Sequence, residues 1–301
     1  MKSGVLIINK AAGMTSHDVV SVVRRLFSTK KVGHTGTLDP NATGVLPVLA
    51  GNAVKASDLM PDTRKVYRAK VTFGASFDTE DVWGKKTAEN ERRPDRAAWD
   101  AACRAMEGDS MQIPPMVSAV KIGGRKLYEY ARAGETVERQ GRPIRVDRIE
   151  VLSFTPEEAE LRVTCSRGTY IRTLISDLCK TCGVLGAMSA LCREESGGFS
   201  LKDAVTLAEL EGLTLPEREA LLIPAEQLFA ALPAVYLPPF FDKLIANGLT
   251  VAQYKLKSDL PGGQRARLYR EGVFFALGEG VDSPEGPALK KIKVFPPDPV
   301  N

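Results

Sequence analysis

The stretch from Val32 to Gly51, VGHTGTLDPNATGVLPVLAG, constrains the fold more strongly than any other part of the chain. It is too rich in Gly, Thr and Pro for buried core, so we expect a shaped loop. The loop carries one carboxylate, Asp39. Pro40 disfavours helical backbone angles for Asp39, and three glycines permit angles closed to other residues: Gly33, Gly36 and Gly44. The backbone should therefore hold the carboxylate in place.

This pattern alone leaves two interpretations of Asp39 open. Polar residues within five positions of it could hold an ionised Asp or the edge of a bound base: His34, Thr35, Thr37, Asn41 and Thr43. The first interpretation is a site for chemistry. The second is an Asx turn, because Asp before Pro commonly opens a turn.

Charge is distributed in local clusters. The formal net charge is only +4 over 301 residues, so a polyanionic partner must be met by grouped Lys and Arg rather than by the global field. Tyr128 and Tyr130 interleave with one of the two basic clusters, which favours nucleic-acid binding there. The clusters are Arg24, Arg25, Lys30 and Lys31, and Lys121, Arg125, Lys126 and Arg132.

Neither a membrane span nor a metal site is expected. No apolar run approaches the roughly 20 residues that cross a bilayer, and the N-terminus lacks a signal-peptide pattern, so we expect a cytoplasmic protein. The cysteine number, five, argues against a disulfide framework. Cys179 and Cys182 form a C-x-x-C pair, but no histidine lies near, and only Cys165 and Cys192 could complete a zinc site.

Periodicity places the main motifs on elements. A strand is expected at residues 5–9, a helix from an N-cap at Ser16 to Phe27, and strands at residues 67–73 and 161–165. Helical spacing from Ile171 onward puts Arg172 in a first turn, where the helix dipole disfavours a cation, so an anionic neighbour is expected. Later prolines indicate a linker, at Pro233, Pro238 and Pro239, before a hairpin around residues 271–272.

Five segments together resemble the TruB family of tRNA pseudouridine synthases. Beside GHTGTLDPNATGVLPV they are INKAAGMTSHDVV, KVYRAKVTFG, PPMVSAVKIGGRKLYEYARAG and CSRGTYIRTLISDL, and most of residues 4–200 is covered. The resemblance implies an α+β pseudouridine-synthase fold with a central mixed, mainly antiparallel sheet flanked by helices. It also implies isomerisation of uridine 55 in the T loop of tRNA, after base flipping, without cofactor or metal.

The resemblance also implies roles for individual residues. Asp39 matches the catalytic Asp, Arg172 its ion-pair partner, Tyr67 the ring that stacks on the target uracil, and Tyr170 a second active-site tyrosine. Substrate or RNA binding is expected of a larger set: His34, Lys10, Asp81, Leu191, Arg193, Lys121, Lys126 and Tyr128. Asp39 could attack the sugar C1′, add to the uracil ring, or abstract a sugar proton, and the sequence does not choose among these routes.

We expect a catalytic domain at residues 1–232, with a clamp insertion at about 112–145, and a small β-rich, PUA-like RNA-binding domain at 233–301. The expected partner is the T-arm stem-loop of tRNA, bound by a monomer without an obligate protein partner. An RNA-guided paralogue and a tRNA-folding chaperone remain alternatives. Departures from the family pattern should weaken RNA binding more than chemistry: Ala11, Val117, Cys192, Glu194 and Glu195.

Overall fold

The computed structural model describes residues 2–60, 64–296 and 298. Two sheets organise these residues, a large one formed before residue 201 and a smaller one formed after residue 233. Thirteen strands are described in the first part: β1 (Gly4–Lys10), β2 (Val32–His34), β3 (Thr43–Ala50), β4 (Lys65–Phe73), β5 (Ala75–Phe77), β6 (Lys86–Glu89), β7 (Gly108–Gln112), β8 (Lys121–Ile122), β9 (Arg125–Lys126), β10 (Arg142–Phe154), β11 (Glu158–Cys165), β12 (Gly186–Ser196) and β13 (Phe199–Ser200).

Six α-helices accompany these strands: α1 (Ser16–Leu26), α2 (Arg96–Ala105), α3 (Leu127–Arg132), α4 (Ile171–Thr181), α5 (Leu207–Gly212) and α6 (Leu215–Ala220). The central sheet has the order β1-β3-β12-β4-β11-β10-β7, with β2 added to β3 and β13 to β12. Only the β3–β12 pairing is parallel, and the other pairings within this sheet are antiparallel. The predicted mixed, mainly antiparallel sheet with helices is therefore confirmed.

Strand β4 shows why the sheet has one apolar and one polar face. Tyr67, Ala69, Val71 and Phe73 are buried, whereas the alternate side chains, such as Lys70, are exposed. The buried face packs under α1, α2 and α4, and Trp99 of α2 meets Phe73 edge to face at 5.0 Å between ring centroids. Burying each large apolar side chain contributes roughly 1.5–3 kcal/mol, so this face anchors the strands that carry the site.

The start of α1 differs from the prediction. Thr15, not Ser16, is the N-cap, and it forms a reciprocal capping box with Asp18. Ser16 is buried instead, and its hydroxyl bonds to the main chain of Leu38. Thr15 has the extended backbone of a cap and frees Ser16 for this longer-range contact.

The loop expected over residues 32–51 is also shorter than predicted. Thr43–Ala50 is β3, and its last seven residues are buried between β1 and its other neighbours. The apolar run GVLPVLA is typical of a strand covered on both faces. Pro47 is accommodated within β3, opposite Ile7 of β1.

A third correction concerns the expected linker. Ala234–Leu237 is a strand, β14, and Pro239 starts α7 (Pro239–Ala246). Proline suits both positions, because it is tolerated beside an edge strand and in the first helical turn. The remaining elements are β15 (Val251–Ala252), α8 (Gln253–Leu256), β16 (Arg265–Arg270), β17 (Val273–Ser283) and β18 (Gly286–Val294).

The small sheet has the order β14-β16-β17-β18-β15, which confirms a β-rich C-terminal region. The hairpin predicted around residues 271–272 is present, with both turn residues at positive φ, as a two-residue hairpin turn requires. One apolar cluster joins the two sheets, because Val5, Ile7 and Leu49 pack together with Leu277 and Phe295. Among the described helices, none combines the length and apolarity needed to cross a bilayer.

Candidate active site

Asp39 lies between β2 and β3 in a segment that is held from several sides. The hydroxyl of Ser16 accepts a hydrogen bond from the Leu38 amide at 2.8 Å and donates one to the Leu38 carbonyl at 3.1 Å. On the other side of Asp39, the Pro40 carbonyl accepts from the Gly13 amide at 3.0 Å and from Lys10 Nζ at 2.9 Å. The residues before and after the carboxylate are thus both fixed to the β1–α1 region.

Arg193 also holds the Asp39 segment in place. Its side chain is fully buried, and it donates to the carbonyls of Val45 at 2.7 Å and Gly36 at 3.0 Å. Gly44 allows β3 to approach β12 here, since its φ is +104° and a Cβ on it would lie 2.2 Å from the Arg193 carbonyl oxygen. A larger residue at position 44 would force these strands apart.

The carboxylate of Asp39 makes a two-point ion pair with Arg172. Arg172 Nε donates to Oδ2 at 3.0 Å and Nη2 donates to Oδ1 at 3.3 Å. Arg172 is only 4% exposed, whereas the Asp39 side chain is 40% exposed. Such fork geometry orients a carboxylate as well as stabilising its charge. The anionic neighbour expected for Arg172 is therefore Asp39.

The remaining donors of Arg172 are used by main-chain carbonyls. Nη1 donates to Thr79 at 2.8 Å, and Nη2 also donates to Val117 at 2.9 Å. Asp81 lies beside the same guanidinium, 3.6 Å from Nε, and accepts from Thr79 Oγ1 at 2.7 Å. Arg172 consequently joins the Asp39 segment, the turn between β5 and β6, and the segment before β8.

The Asp39–Arg172 ion pair forms part of the wall of a cavity of about 240 Å³. All four residues expected to be catalytic line it: Asp39, Tyr67, Tyr170 and Arg172. Leu191 also lines it, as expected of a residue beside the site. The wall further contains residues from the turn after β11 and from the segment before β8, including Gly168, Thr169, Ser118 and Ala119. The cavity therefore combines one carboxylate with two phenol rings.

The two tyrosines are positioned differently. Tyr67 is 5% exposed, and burial raises the pKa of its phenol against the opposing influence of Arg193, so the ring stays neutral. Tyr170 is the N-cap residue of α4. Gln112 holds its backbone from both ends, accepting from the Tyr170 amide at 2.8 Å and donating to its carbonyl at 3.1 Å.

Three residues expected to bind RNA are enclosed in the protein. Lys10 is fully buried, and its three donors go to the carbonyls of Ala11, Met14 and Pro40. Burial lowers the pKa of Lys10 to about 8, although Asp39 opposes the shift. Arg193 and Asp81 are likewise buried. These contacts make all three residues positioning residues for the Asp39 segment, and their expected part in RNA binding stays a prediction.

His34 lies at the end of β2 and does not line the cavity. It is half-buried, and its Nδ1 has no hydrogen-bond partner. Burial, followed by the charge of Arg193, lowers the pKa of His34, so the imidazole is neutral at pH 7. Because Nδ1 is buried, base contact by His34 would fall to the exposed part of the ring, and this contact stays a prediction.

The expected clamp leaves and rejoins the sheet where Gln112 of β7 pairs with Arg142 of β10. Between these residues, β8 and β9 form a hairpin with Gly123 and Gly124 at its tip, and α3 follows. Three cations lie over two rings of this segment: Arg125 over Tyr130, and Lys126 and Arg132 over Tyr128. Lys121 is exposed at the hairpin. The segment thus presents charge and aromatic surface together.

Sequence reasoning missed two residues of the site. Lys65 lines the cavity and shares the period-two face of Tyr67, a signal that could have identified it. Gln112 carries no sequence signal, because its partner Tyr170 is 58 positions away. Of the departures from the family pattern, Glu194 and Glu195 pair with Arg162 on the sheet.

Comparisons with known proteins agree with this geometry. The family profile described as "TruB family pseudouridylate synthase (N terminal domain)" matches residues 24–171. A protein of Heliobacterium modesticaldum named tRNA pseudouridine synthase B is 42% identical over 97% of this chain and 95% of its own length. The protein of the same name from Geobacillus thermodenitrificans is 43% identical over 86% of this chain and 89% of its own.

Solved structures give the same result for the fold. A chain from the "Crystal Structure of a Cbf5-Nop10-Gar1 Complex" superposes with a TM-score of 0.71 at 26% identity, over 98% of this chain and 85% of that one. Fold and relatives together define a pseudouridylate synthase, an isomerase. The chain belongs to the TruB family.

Proposed function

We propose that this enzyme converts uridine 55 in the T loop of tRNA to pseudouridine, with Asp39 as the catalytic carboxylate. The observation that carries the proposal is the two-point Asp39–Arg172 pair at the mouth of a cavity walled by Tyr67 and Tyr170. A single oriented carboxylate suffices for each of the three routes open to this isomerisation. The similarity to proteins named tRNA pseudouridine synthase B supports tRNA as the substrate.

The reaction breaks the N1–C1′ bond, joins C5 to C1′, moves a proton to N1 and releases the proton on C5. A uracil stacked in its loop cannot turn in this way, so the nucleotide must first be flipped out. Flipping costs free energy, because stacking and pairing are lost. Stacking of the flipped uracil on the neutral ring of Tyr67 offsets roughly 1–3 kcal/mol of this cost. Arg172 keeps Asp39 aimed into the cavity, and Tyr170 lines the cavity where its hydroxyl can guide the uracil or relay the C5 proton to solvent, giving up its own proton as it takes the one from C5.

The clamp, expected at about residues 112–145, would hold the T-arm through Lys121, Lys126 and Tyr128. Arg172 links this segment to the carboxylate through the Val117 carbonyl. The small C-terminal sheet extends the RNA surface as a PUA-like domain. We further propose that the enzyme acts as a monomer and that its grip on the T-arm assists tRNA folding independently of the chemistry.

Position mapping tests the proposal directly. Unmodified tRNA is incubated with the enzyme, treated with a carbodiimide that marks pseudouridine, and read by primer extension. We expect one stop, at position 55, and none with a tRNA in which uridine 55 is replaced by cytidine. Stops at other positions, or modification only after addition of a guide RNA, would contradict the proposed specificity.

A further inference from the structure

A second cavity adjoins the catalytic one. Its volume is about 200 Å³, and it shares Lys65 and Gly168 with the catalytic cavity. Its remaining wall comes from the Asp39 segment, the turn after β11, the end of β12 and the segment that follows β3, and includes Gly36, Arg167, Ser196 and Met60. Because the two cavities have common walls, a polymer bound in the first can extend into the second.

Positive charge collects where the two cavities meet. A Cβ built on Gly36 would lie 3.3 Å from Lys65 Nζ and 3.6 Å from Arg193 Nη1, so both cations lie close to one point. Arg193 is fully buried beside Tyr67, and among the described residues its Nη1 has no partner within hydrogen-bond geometry. Within residues 2–60, 64–296 and 298, no carboxylate forms an ion pair with Lys65 or Arg167.

The cations destabilise one another in the absence of an anion. Burial, followed by the charges of Arg193 and Arg167, lowers the pKa of Lys65 to about 8, and the thiol of Cys165 opposes the shift. Arg193 is fully buried and Lys65 is half-buried, and a cation withdrawn from water usually has a partner, because removing a charge from water is unfavourable unless it is compensated. An anionic group between these side chains would supply that compensation.

We propose that Lys65 and Arg167 bind the RNA phosphodiester that adjoins the flipped uridine in this second cavity, while the buried Arg193 adds positive charge close to Lys65 without touching the RNA. The inference rests on the proposed function, since it takes the uridine to occupy the catalytic cavity. A ribonucleotide carries a phosphate on each side of its ribose, so one phosphate must follow the sugar away from the cavity mouth. Phosphate contacts of this kind fix the register of a nucleic acid. Lys65 would thereby set the ribose against Asp39.

A double-mutant cycle that combines protein substitutions with replacement of single RNA phosphates tests the site. The affinity of a T-arm stem-loop is measured for the wild type, Lys65→Met and Lys65→Arg. The RNA is either unmodified or carries one uncharged methylphosphonate on the 5′ or 3′ side of the target uridine. Lys70→Met is the matched control, because Lys70 is exposed on the opposite face of the same strand.

We expect one of the two methylphosphonates to weaken wild-type binding about tenfold. Lys65→Met should bind unmodified RNA about tenfold more weakly and lose nothing further with that methylphosphonate. Lys65→Arg should keep most of the affinity, and Lys70→Met should behave as the wild type. The slope of log affinity against log salt should fall by about 0.7 in Lys65→Met, as expected for one phosphate of a single strand.

The site would be overturned if each of the two methylphosphonates weakened binding by the same factor in Lys65→Met as in the wild type. It would also be overturned if Lys65→Arg bound the unmodified RNA as weakly as Lys65→Met. Circular dichroism of Lys65→Met establishes that the variant is folded, and Lys65→Arg provides the second variant if it is not. Failure of the proposed function has a different signature. The wild type would then bind the stem-loop without forming pseudouridine, while the coupling between Lys65 and the phosphate could still be measured.

Discussion

Ser16 and Leu38 are joined by two reciprocal hydrogen bonds, in which one buried hydroxyl satisfies both the amide and the carbonyl of the residue that precedes Asp39. A side chain at the start of α1 thereby fixes the main chain from which the Asp39 side chain projects. Ser16 and Leu38 are 22 positions apart in the sequence. The position of Asp39 depends on this contact as much as on the turn chemistry of its own segment.

Ser16→Ala should therefore impair both stability and catalysis. The substitution leaves a buried amide and carbonyl without partners, so we expect the free energy of unfolding to fall by about 1–3 kcal/mol. Because Asp39 loses one of its supports, kcat should also fall about tenfold. Urea unfolding and single-turnover kinetics measure the two effects. Ser21→Ala is the control, since the Ser21 hydroxyl is exposed and bonds only within α1; equal effects of both variants would contradict the role of Ser16.

Arg172→Lys should abolish most of the activity while leaving RNA binding largely intact. Lysine retains the charge but cannot hold both oxygens of Asp39 together with the carbonyls of Thr79 and Val117. We expect kcat to fall by about 10² or more. Stem-loop binding and single-turnover rates distinguish the two effects. Arg162→Lys, at a partly exposed pair with Glu194, is the control. An Arg172→Lys enzyme with near-normal kcat would show that the fork geometry is dispensable.

The clamp cations should act on affinity rather than on chemistry. Replacing both Lys121 and Lys126 by alanine removes charge from side chains that do not line the catalytic cavity, so we expect a Kd about tenfold higher with an unchanged rate at saturating RNA. The salt slope of binding should fall by about 1–2. Filter binding at several salt concentrations measures this. Lys180→Ala, at an exposed position on α4, is the control, and a fall in the saturated rate of the double variant would indicate a direct catalytic role.

The buried thiol of Cys103 predicts a specific alkaline response. Burial raises its pKa to about 12 from about 9. Above pH 9 the unfolded chain loses this proton while the folded chain keeps it, so the stabilising contribution present below pH 9 is lost as pH rises toward 12. Each such thiol contributes a slope of up to about 1.4 kcal/mol per pH unit. Urea unfolding of the wild type and Cys103→Ala at pH 8 to 10.5 should show a shallower loss in the variant; parallel curves would contradict the raised pKa.

Much of this architecture could be predicted from local patterns. The alternation in β4 placed Tyr67 on the apolar face, and helical spacing placed Arg172 in a first turn that needs an anion. The hairpin at residues 271–272 followed from turn chemistry. These features depend on neighbouring residues, whose preferences are visible in sequence.

Contacts between distant segments could not be predicted. The burial of Lys10 depends on the Pro40 carbonyl, 30 positions away, and Arg193 acts through the Gly36 carbonyl, 157 positions away. The family resemblance implied RNA binding for both cations, and their own sequence neighbourhood does not indicate burial, because Lys and Arg are normally exposed. The strand at Ala234–Leu237 was also not predicted. Prolines flank it in sequence, and the strand with which it pairs in parallel, β16, lies some 30 residues later.

The measurement that tests the central claim most directly is tritium release from a T-arm stem-loop that carries 5-tritiated uridine. The wild type is compared with Asp39→Asn, and with Asp177→Asn, which changes a carboxylate of α4 whose ion-pair partner among the described residues is the exposed Lys180. We predict release by the wild type and Asp177→Asn, and none by Asp39→Asn despite unchanged RNA binding. Release by Asp39→Asn at the wild-type rate, or no release by any of the three proteins with binding intact, would contradict the account.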